Sequence, residues 1–278
     1  MADRLFDEKD HSSLYHKYMF PPPEDIQKMI FSYLKEKKCE PFDLAVDVGC
    51  GTGNSTQLLA PHFQKVVGVD ESEAQLSVAK EVSMKPNISF CVSTAEALPF
   101  QDASVDLVTA SVAAHWFDVD KFVKEAIRVL KPNGCLAVHC FNDGMELHHK
   151  SGPSEMLKEI FHEAWYFLIN QNPKRYVCLT AAYPQIFNAI PFPEKQIHTD
   201  VPGSCPMSLP EVMGFIESLC TYQYFMRQNP EAAKDFLEKT KERILEATEG
   251  LPKEDQFILS KTHVCVLARK SSSNELEG

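Results

Sequence analysis

Residues 44–56 read LAVDVGCGTGNST, and this stretch decides the fold. An apolar run ends at Val48, three glycines follow within five positions, and Asn54 and Ser55 are residue types that begin helices. A strand, a glycine-rich turn and a helix in this order are typical of nucleotide-binding α/β proteins, because bare backbone lets a ligand approach closely. The next question is which nucleotide such a turn would hold.

Short apolar runs alternate with helical patterns from residue 44 to residue 140. We predict strands at 44–48, 65–69, 87–92, 105–110 and 134–140. We predict helices at 54–61, 72–84 and 119–130. This alternation predicts an α/β fold of the Rossmann-like type, a mostly parallel sheet with helices on both faces.

The two ends of the chain follow other patterns. The aromatic and proline-rich residues 1–23 predict an extended arm, with a helix near 24–38 after it. Beyond residue 141 we predict helices at 153–171, 176–190, 208–228 and 230–247, and strands at 194–200 and 262–268. We therefore divide the chain into an N-terminal arm and helix that form a lid (1–40), a nucleotide-binding core (41–141), a helical substrate cap with one strand (142–250), a C-terminal strand that completes the sheet (251–270) and a disordered tail (271–278).

Composition narrows the partners and the compartment. The formal net charge of the 278-residue chain is −11 and no Lys/Arg cluster is present, so we predict no nucleic-acid partner. No apolar run approaches the ~20 residues that cross a bilayer, and the charged start MADRLFDEKDHSS lacks the apolar segment of a signal peptide. The nine cysteines form no CxxC pair and are expected to be reduced thiols. We predict a cytoplasmic monomer without a membrane partner.

The glycine spacing separates two kinds of nucleotide site. A dinucleotide fingerprint requires G-x-G-x-x-G, whereas here Gly49, Gly51 and Gly53 alternate and position 54 is Asn. Asp70 ends the second predicted strand 21 residues after Gly49, where a carboxylate can accept both ribose hydroxyls. NAD sites use the same carboxylate, so Asp70 alone leaves NAD and S-adenosylmethionine open.

Five motifs then occur in order: VDVGCGTG, VVGVD, STAEALPF, SVDLVTASVAAHWFD and AIRVLKPNGCLAV. Over about residues 40–140 they resemble the successive motifs of class I S-adenosylmethionine-dependent methyltransferases. AAHWFD with LKPNG, the arm YHKYMFPPP and the segment after MSLPEVMGFIES further resemble the small-molecule subgroup that includes trans-aconitate methyltransferases. The resemblance implies a seven-stranded, mostly parallel sheet in which the C-terminal segment adds an antiparallel strand.

The resemblance also implies a cofactor, S-adenosylmethionine, with S-adenosylhomocysteine as product. Asp70 would hold the ribose, and Ser111 with Val112 would pass close to the reactive methyl. The family often carries Asp where Thr94 stands, so the adenine contact here would come from the backbone. The implied cofactor-binding residues are Tyr18, Asp47, Gly49, Cys50, Gly51, Gly53, Asp70, Thr94, Ala95, Glu96, Ser111 and Val112.

The chemistry of methyl transfer requires alignment and exclusion of water, and a carboxylate acceptor needs no base. The catalytic candidates are His115 and Trp116, which follow the fourth strand; a structural role for both is the alternative. The substrate-binding candidates are Tyr15, Trp165, Tyr222 and Tyr224, although aromatic residues at helical spacing are also typical of a core. Arg175 and Arg227 are the candidate partners of a polycarboxylate. His139, Cys140, Asp143, His148 and His149 match no zinc spacing, so we predict no metal.

We therefore predict an S-adenosylmethionine-dependent methyltransferase that acts on a small molecule, with O-methylation of a carboxylic acid as the candidate reaction. A protein acceptor is the alternative within enzymes. An inactive S-adenosylmethionine-binding interaction protein and an NAD-dependent oxidoreductase are the alternatives from other classes.

Overall fold

A single mixed sheet organises the chain in the computed structural model, which describes residues 6–142, 144–152, 154–172, 182–249, 251 and 257–272. The helices are α1 (Lys9–Tyr18), α2 (Glu24–Lys35), α3 (Thr56–Leu59), α4 (Glu73–Val82), α5 (Val119–Val129), α6 (Glu155–Gln171), α7 (described over 182–189), α8 (Leu209–Ser218), α9 (Cys220–Gln228) and α10 (Pro230–Ala247). The strands are β1 (Phe42–Val48), β2 (Phe63–Asp70), β3 (Ile88–Val92), β4 (Val105–Ser111), β5 (Leu130–Phe141), β6 (Glu146–His149), β7 (Lys195–Met207) and β8 (Phe257–Arg269).

The first five strands form the parallel half of the sheet, in the order β3-β2-β1-β4-β5. Strand β4 is buried from Val105 to Ala110, as expected for a strand covered by helices on both faces. Ser72 and Asp118 begin α4 and α5 by accepting backbone N–H groups of the first helical turn. The predicted Rossmann-like α/β fold is confirmed, and so are the five predicted strands of the core.

The far edge of the sheet departs from the expected strand count. β8 runs antiparallel to its neighbours: Cys135–Phe141 of β5 pair with Arg269–His263, and β6 pairs with the residues from Ser260 back to Phe257. β6 therefore continues the line of β5 along one edge of β8, while β7 pairs along the other. Within the described residues the sheet has eight strands, so the expectation of seven is corrected by the short strand β6, which the sequence analysis did not predict.

The prediction of an extended arm over residues 1–23 is wrong for residues 9–18, which form α1. Proline begins only at position 21, so nothing prevents a helix before it, and the Met19 N–H closes the last turn on the Tyr15 carbonyl. α1 packs on α8 so closely that a Cβ at Gly214 would lie 2.5 Å from the Tyr18 ring. His11 Nε2 also lies 3.0 Å from the Ser218 carbonyl oxygen.

Helix α2 covers one face of the sheet. Its buried residues Ile26, Ile30 and Leu34 recur every four positions and pack on the cluster formed by β1, β2, β5 and β8. The almost fully buried Arg269 of β8 fixes the end of this helix: its Nη2 donates to the Tyr33 carbonyl at 2.6 Å and pairs with Glu36 at 2.7 Å.

The predicted cap region is helical, with one correction. The predicted helix at 208–228 is two helices, because Leu219 adopts an extended conformation between α8 and α9. The predicted helices at 153–171 and 230–247 and the strands at 194–200 and 262–268 correspond to α6, α10, β7 and β8. The first residues of the predicted helix at 176–190 lie outside the described residues, as does 273–278 of the predicted tail. The division into five units stays a prediction.

Gly49, directly after β1, packs against the loop that follows β4. Its φ is +66°, and a Cβ built on it would lie 2.6 Å from the Ala113 Cβ. We predict that Gly49→Ala lowers the free energy of unfolding by about 2–5 kcal/mol, the sum of a left-handed backbone and overpacking. Gly144 also has positive φ, +86°, but no heavy atom of the described residues lies within 4 Å of its Cβ position, so Gly144→Ala isolates the backbone effect at about 1–2 kcal/mol. Urea unfolding of both variants tests this; equal losses would contradict the packing argument.

Candidate functional site

A cavity of about 520 Å³ opens at the carboxyl ends of β1–β4, within the 300–1,000 Å³ typical of ligand pockets. The loops that follow these four strands form its floor and walls, and the N-terminal segment covers it. In an open α/β sheet, ligands bind in this position because the strand order reverses there. The described lining residues are Phe6, Asp7, Tyr15, Met19, Phe20, Gly49, Cys50, Gly51, Thr52, Asn54, Ser55, Asp70, Glu71, Ser72, Gln75, Val92, Ser93, Thr94, Ala95, Glu96, Ser111, Val112, Ala113, Trp116 and Phe117.

The glycine turn forms the floor of the cavity through its backbone. The N–H groups of Gly49 and Cys50 both donate to the Val69 carbonyl, at 2.8 and 3.0 Å, so the turn is attached to the end of β2. Gly49, Cys50 and Gly51 line the cavity. Gly53 does not line it; its Cβ position lies 3.1 Å from the Phe90 ring, so it serves packing behind the turn.

Asp70 joins the turn to the next loop. One carboxylate oxygen accepts the Gly51 N–H at 2.8 Å and the other accepts the Ser72 N–H at 2.9 Å. Burial raises the pKa of Asp70, and these two backbone hydrogen bonds oppose that rise by stabilising the charged form. Asp70 also lines the cavity, so the same carboxylate orders the turn and faces the ligand space.

Asp47 lies beneath the turn rather than on the cavity wall. Its side chain is fully buried; one oxygen accepts the Thr56 hydroxyl at 2.6 Å, and the other has no hydrogen-bond partner among the described residues. Burial raises the pKa of Asp47 to about 7; the Thr56 hydrogen bond opposes this rise and the negative charge of Asp70 adds to it. The carboxyl of Asp47 is therefore only partly ionised near pH 7.

The predicted adenine and methyl positions reach the cavity from neighbouring strands. Thr94, Ala95 and Glu96 line it after β3, and Glu96 accepts the Asp118 N–H at 2.9 Å. Ser111 and Val112 line it after β4, where Val112 has a φ of +53° and donates its N–H to the His139 carbonyl. These five predicted residues therefore come together at one cavity.

The lid contains residues that the sequence analysis missed. Phe6, Asp7, Met19 and Phe20 line the cavity from α1 and its flanks. The Phe6 carbonyl accepts the Ser72 hydroxyl at 2.7 Å, which fixes the lid to the β2 loop. The available signal was the apolar pair Met19 and Phe20 directly before the prolines at 21–23. The prediction of an extended arm did not indicate which way these two side chains would point.

The two lid tyrosines separate. Tyr15 lines the cavity, and burial raises the pKa of its phenol well above the ordinary value, so the hydroxyl stays protonated. Tyr18, predicted as a cofactor contact, points to α8 and packs over Gly214. It is absent from the described lining.

Of the two catalytic candidates, the structure brings one to the cavity. Trp116 is a lining residue, while His115 is not, although their ring centres are only 4.9 Å apart. The two residues belong to a short 3-10 turn, Ala114–Trp116. His115 is therefore next to Trp116 but is not part of the described lining of the cavity.

The remaining substrate candidates pack between helices. Trp165 lies in the core with its ring centre 6.5 Å from that of Phe141, and the buried Tyr222 donates its hydroxyl to the Ala233 carbonyl at 3.3 Å. Neither these two nor Tyr224 lines the cavity. Aromatic residues at helical spacing here join α6, α9 and α10, the alternative that the sequence left open. Arg227 pairs with Glu8 at 3.2 Å, and Arg175 lies outside the described residues.

Two searches cover only the part of the chain that the structure describes. No three His, Cys, Asp or Glu side chains converge there in a way that would hold a metal ion. No helix of that part combines the length and the apolar character needed to span a bilayer.

Comparison with known proteins favours S-adenosylmethionine over NAD. Residues 46–138, which contain the glycine turn, Asp70 and the β4 loop, match the methyltransferase domain family. Residues 46–138 form a methyltransferase domain, and the sheet that contains them has the fold of class I methyltransferases. The protein named "putative methyltransferase" in Dictyostelium discoideum is 28% identical to this chain over 252 residues, 87% of each sequence. The trans-aconitate 2-methyltransferase of Variovorax paradoxus is 39% identical over 108 residues, 38% of this chain and 41% of that protein.

Solved structures share the fold of this methyltransferase domain. The "putative type II methyltransferase" of Anaeromyxobacter dehalogenans has a TM-score of 0.68 at 22% identity, with 88% of this chain and 97% of that chain covered. Phosphoethanolamine N-methyltransferase 2 of Haemonchus contortus, solved with S-adenosyl-L-methionine, has a TM-score of 0.53 at 19% identity and covers 97% of this chain and 59% of that chain. At these identities the likeness shows the fold, and the acceptor is a separate question.

The buried carboxyl of Asp47 predicts a pH dependence of stability. Its folded pKa of about 7 lies above the ordinary 3.8, so its contribution to stability is full below about pH 4 and is lost as the pH rises through 7. We expect the stability of the wild type relative to Asp47→Asn to fall by about 1.4 kcal/mol per pH unit between pH 5 and 7. Urea unfolding at pH 5, 6 and 7 measures it, with the exposed Asp25→Asn as control. A pH-independent difference between wild type and Asp47→Asn would contradict the assignment.

Proposed function

We propose that this chain transfers a methyl group from S-adenosylmethionine to a small-molecule acceptor, with a carboxylic acid as the acceptor. The observation that carries the proposal is the shared hydrogen bond between Gly51 and Asp70 at the floor of the cavity. This hydrogen bond brings two features together: a glycine turn that a ligand can approach closely, and a carboxylate that would bind the ribose. The methyltransferase domain match covers both residues.

The residues of the cavity suit this cofactor. Gly49, Cys50 and Gly51 would hold the methionine half, Asp70 the ribose, and the segment 94–96 the adenine. The described lining residues include four carboxylates, those of Asp7, Asp70, Glu71 and Glu96, and no lysine or arginine. Such a wall favours a ligand that carries positive charge, as a sulfonium with an ammonium group does.

The chain's own part in the reaction is alignment and exclusion of water. When bound, S-adenosylmethionine supplies a methyl group on a positively charged sulfur. An ionised carboxylate can accept this methyl group without any proton transfer. Ser111, Val112 and Trp116 would line the methyl end, and Phe20 with Met19 would keep water out from the lid side. The absence of His115 from the described lining and the protonated phenol of Tyr15 suit an acceptor that needs no base.

The lid supports a small acceptor over a protein. α1 is attached at both ends across the cavity, by Ser72 to Phe6 at 2.7 Å and by the Asn54 side chain to the Met19 carbonyl at 3.3 Å. A folded protein would have to displace this helix to present a side chain.

The net charge of −11 supports the further proposal of a chain without a nucleic-acid partner. We also propose a monomer that acts in the cytoplasm, where its reduced thiols would persist.

A product assay tests the proposed reaction. The chain is incubated with S-adenosylmethionine and panels of small carboxylic acids, amines and thiols, and methylated products are detected by mass spectrometry. A methyl ester supports the proposal; methylated amines or thiols alone would contradict the acid. Binding of S-adenosylmethionine with no product in any panel would favour the inactive binding protein.

Removal of the Asp70 carboxylate should weaken cofactor binding. Charge-assisted hydrogen bonds contribute about 1.5–3 kcal/mol each, so we expect Asp70→Ala to reduce affinity for S-adenosylhomocysteine by at least about tenfold in a calorimetric titration. Asp70→Asn, which keeps one acceptor oxygen, should lose less. The control is Asp102→Ala, which removes an exposed carboxylate far along the chain from the turn. Unchanged affinity in Asp70→Ala would overturn the ribose assignment.

A further inference from the structure

Three basic side chains lie on one face of the sheet beside the cavity: His139 of β5 and Lys261 and His263 of β8. In the antiparallel register Phe141 is opposite His263 and His139 is opposite Cys265, so His139, Phe141 and His263 point to the same face. Lys261 follows at an alternate position of β8 and points the same way. The proline segment lies over this row: a Cβ at Gly203, opposite Lys261 in β7, would lie 2.8 Å from both Pro23 and His263.

Lys261 has a buried amine for which the described residues provide no counter-ion. Its side chain is only 6% exposed, and its Nζ has no hydrogen-bond partner among the described residues. Both ring nitrogens of His263 and Nδ1 of His139 also have no hydrogen-bond partner among the described residues. The residues His139 and His263 are each 2% exposed. Buried polar groups are nearly always hydrogen-bonded, and a buried charge is nearly always paired. Three such groups together indicate a site that a polar ligand completes.

Phe20 separates Lys261 from the cavity. The Lys261 Nζ lies 2.7 Å from the centre of the Phe20 ring and 5.2 Å from that of Phe141, an arrangement that partly compensates the charge. Phe20 is also a lining residue of the cavity. One aromatic ring of the lid is therefore shared between the cofactor cavity and the buried amine.

The charge of the cavity wall makes this amine important for an acidic acceptor. The described lining carries four carboxylates and no lysine or arginine, so an anion entering the cavity meets like charge. The Lys261 amine, which packs against the Phe20 ring, is a basic group next to this wall.

We propose that Lys261 is the residue that binds the carboxylate of the acceptor, reached when Phe20 turns aside, with His139 and His263 as neutral hydrogen-bond donors beside it. The proposal rests on the proposed function and assigns its acceptor-binding residue. Burial lowers the pKa of Lys261 to about 7, and an arriving carboxylate would raise it and hold the amine charged. Burial and the charge of Lys261 lower the pKa values of His139 and His263 to about 4 and 3, so both imidazoles are neutral and each offers one N–H.

Calorimetric titration of the full chain saturated with S-adenosylhomocysteine tests the proposal. The probes are succinate and benzoate, their uncharged amides succinamide and benzamide, and inorganic phosphate. We expect the wild type to bind at least one carboxylate at least tenfold more tightly than its amide. Lys261→Met, which keeps the length of the side chain and removes its charge, should lose this preference while its affinity for S-adenosylhomocysteine stays within twofold. Lys28→Met, at an exposed position, should behave as the wild type.

Two further readouts keep the outcomes distinct. Loss of the unpaired buried charge should leave the melting temperature of Lys261→Met equal to or above that of the wild type, and Phe20→Ala should bind the carboxylate at least as well as the wild type does. A lower melting temperature with an unchanged carboxylate preference would assign Lys261 a structural role and overturn the proposal. So would binding of phosphate in preference to every carboxylate, or of no probe, by a chain that binds S-adenosylhomocysteine. Failure to bind S-adenosylhomocysteine would instead overturn the proposed function.

Discussion

The structure of the site depends on the two hydrogen bonds that Asp70 accepts from the Gly51 and Ser72 N–H groups. They tie the glycine turn after β1 to the loop after β2, and the Ser72 hydroxyl extends the connection to the lid at Phe6. A buried carboxylate is stabilised only where such donors surround it, so Asp70 and the turn depend on each other. Floor, wall and lid of the cavity thus meet at one side chain.

The cavity wall and the side chains behind Phe20 form two environments of different charge. The walls at the strand ends are acidic, which suits a cationic cofactor. The buried row of His139, Lys261 and His263 has its basic group, the Lys261 amine, against Phe20. Under the proposed function, this chain has to bind a sulfonium and a carboxylate close together while its own acidic and basic groups stay apart. The aromatic ring of Phe20, between amine and cavity, keeps the two environments apart.

Much of this could be read from local sequence. The strands β1–β5, the turn at 49–53 and Asp70 follow from apolar runs, glycine spacing and the order of the motifs, all of which are local signals. Helix α1 could not be predicted in this way, because contacts with Ser218 and Gly214, about 200 residues further along the chain, stabilise its polar sequence. Lys261 gave no signal either: a lysine side chain is ordinarily solvated, whereas this one packs against Phe20, about 240 residues away in the chain. Tyr222 and Trp165 were ambiguous because helix packing and pocket lining select the same residue types.

The central claim is that this cavity holds S-adenosylmethionine with its sugar at Asp70, and a crystal structure of the chain with S-adenosylhomocysteine tests it most directly. The account predicts both ribose hydroxyls within hydrogen-bonding distance of the Asp70 carboxylate, the homocysteine part over Gly49–Gly51 and the adenine beside residues 94–96. A nucleoside bound elsewhere, or one whose ribose makes no contact with Asp70, would contradict it.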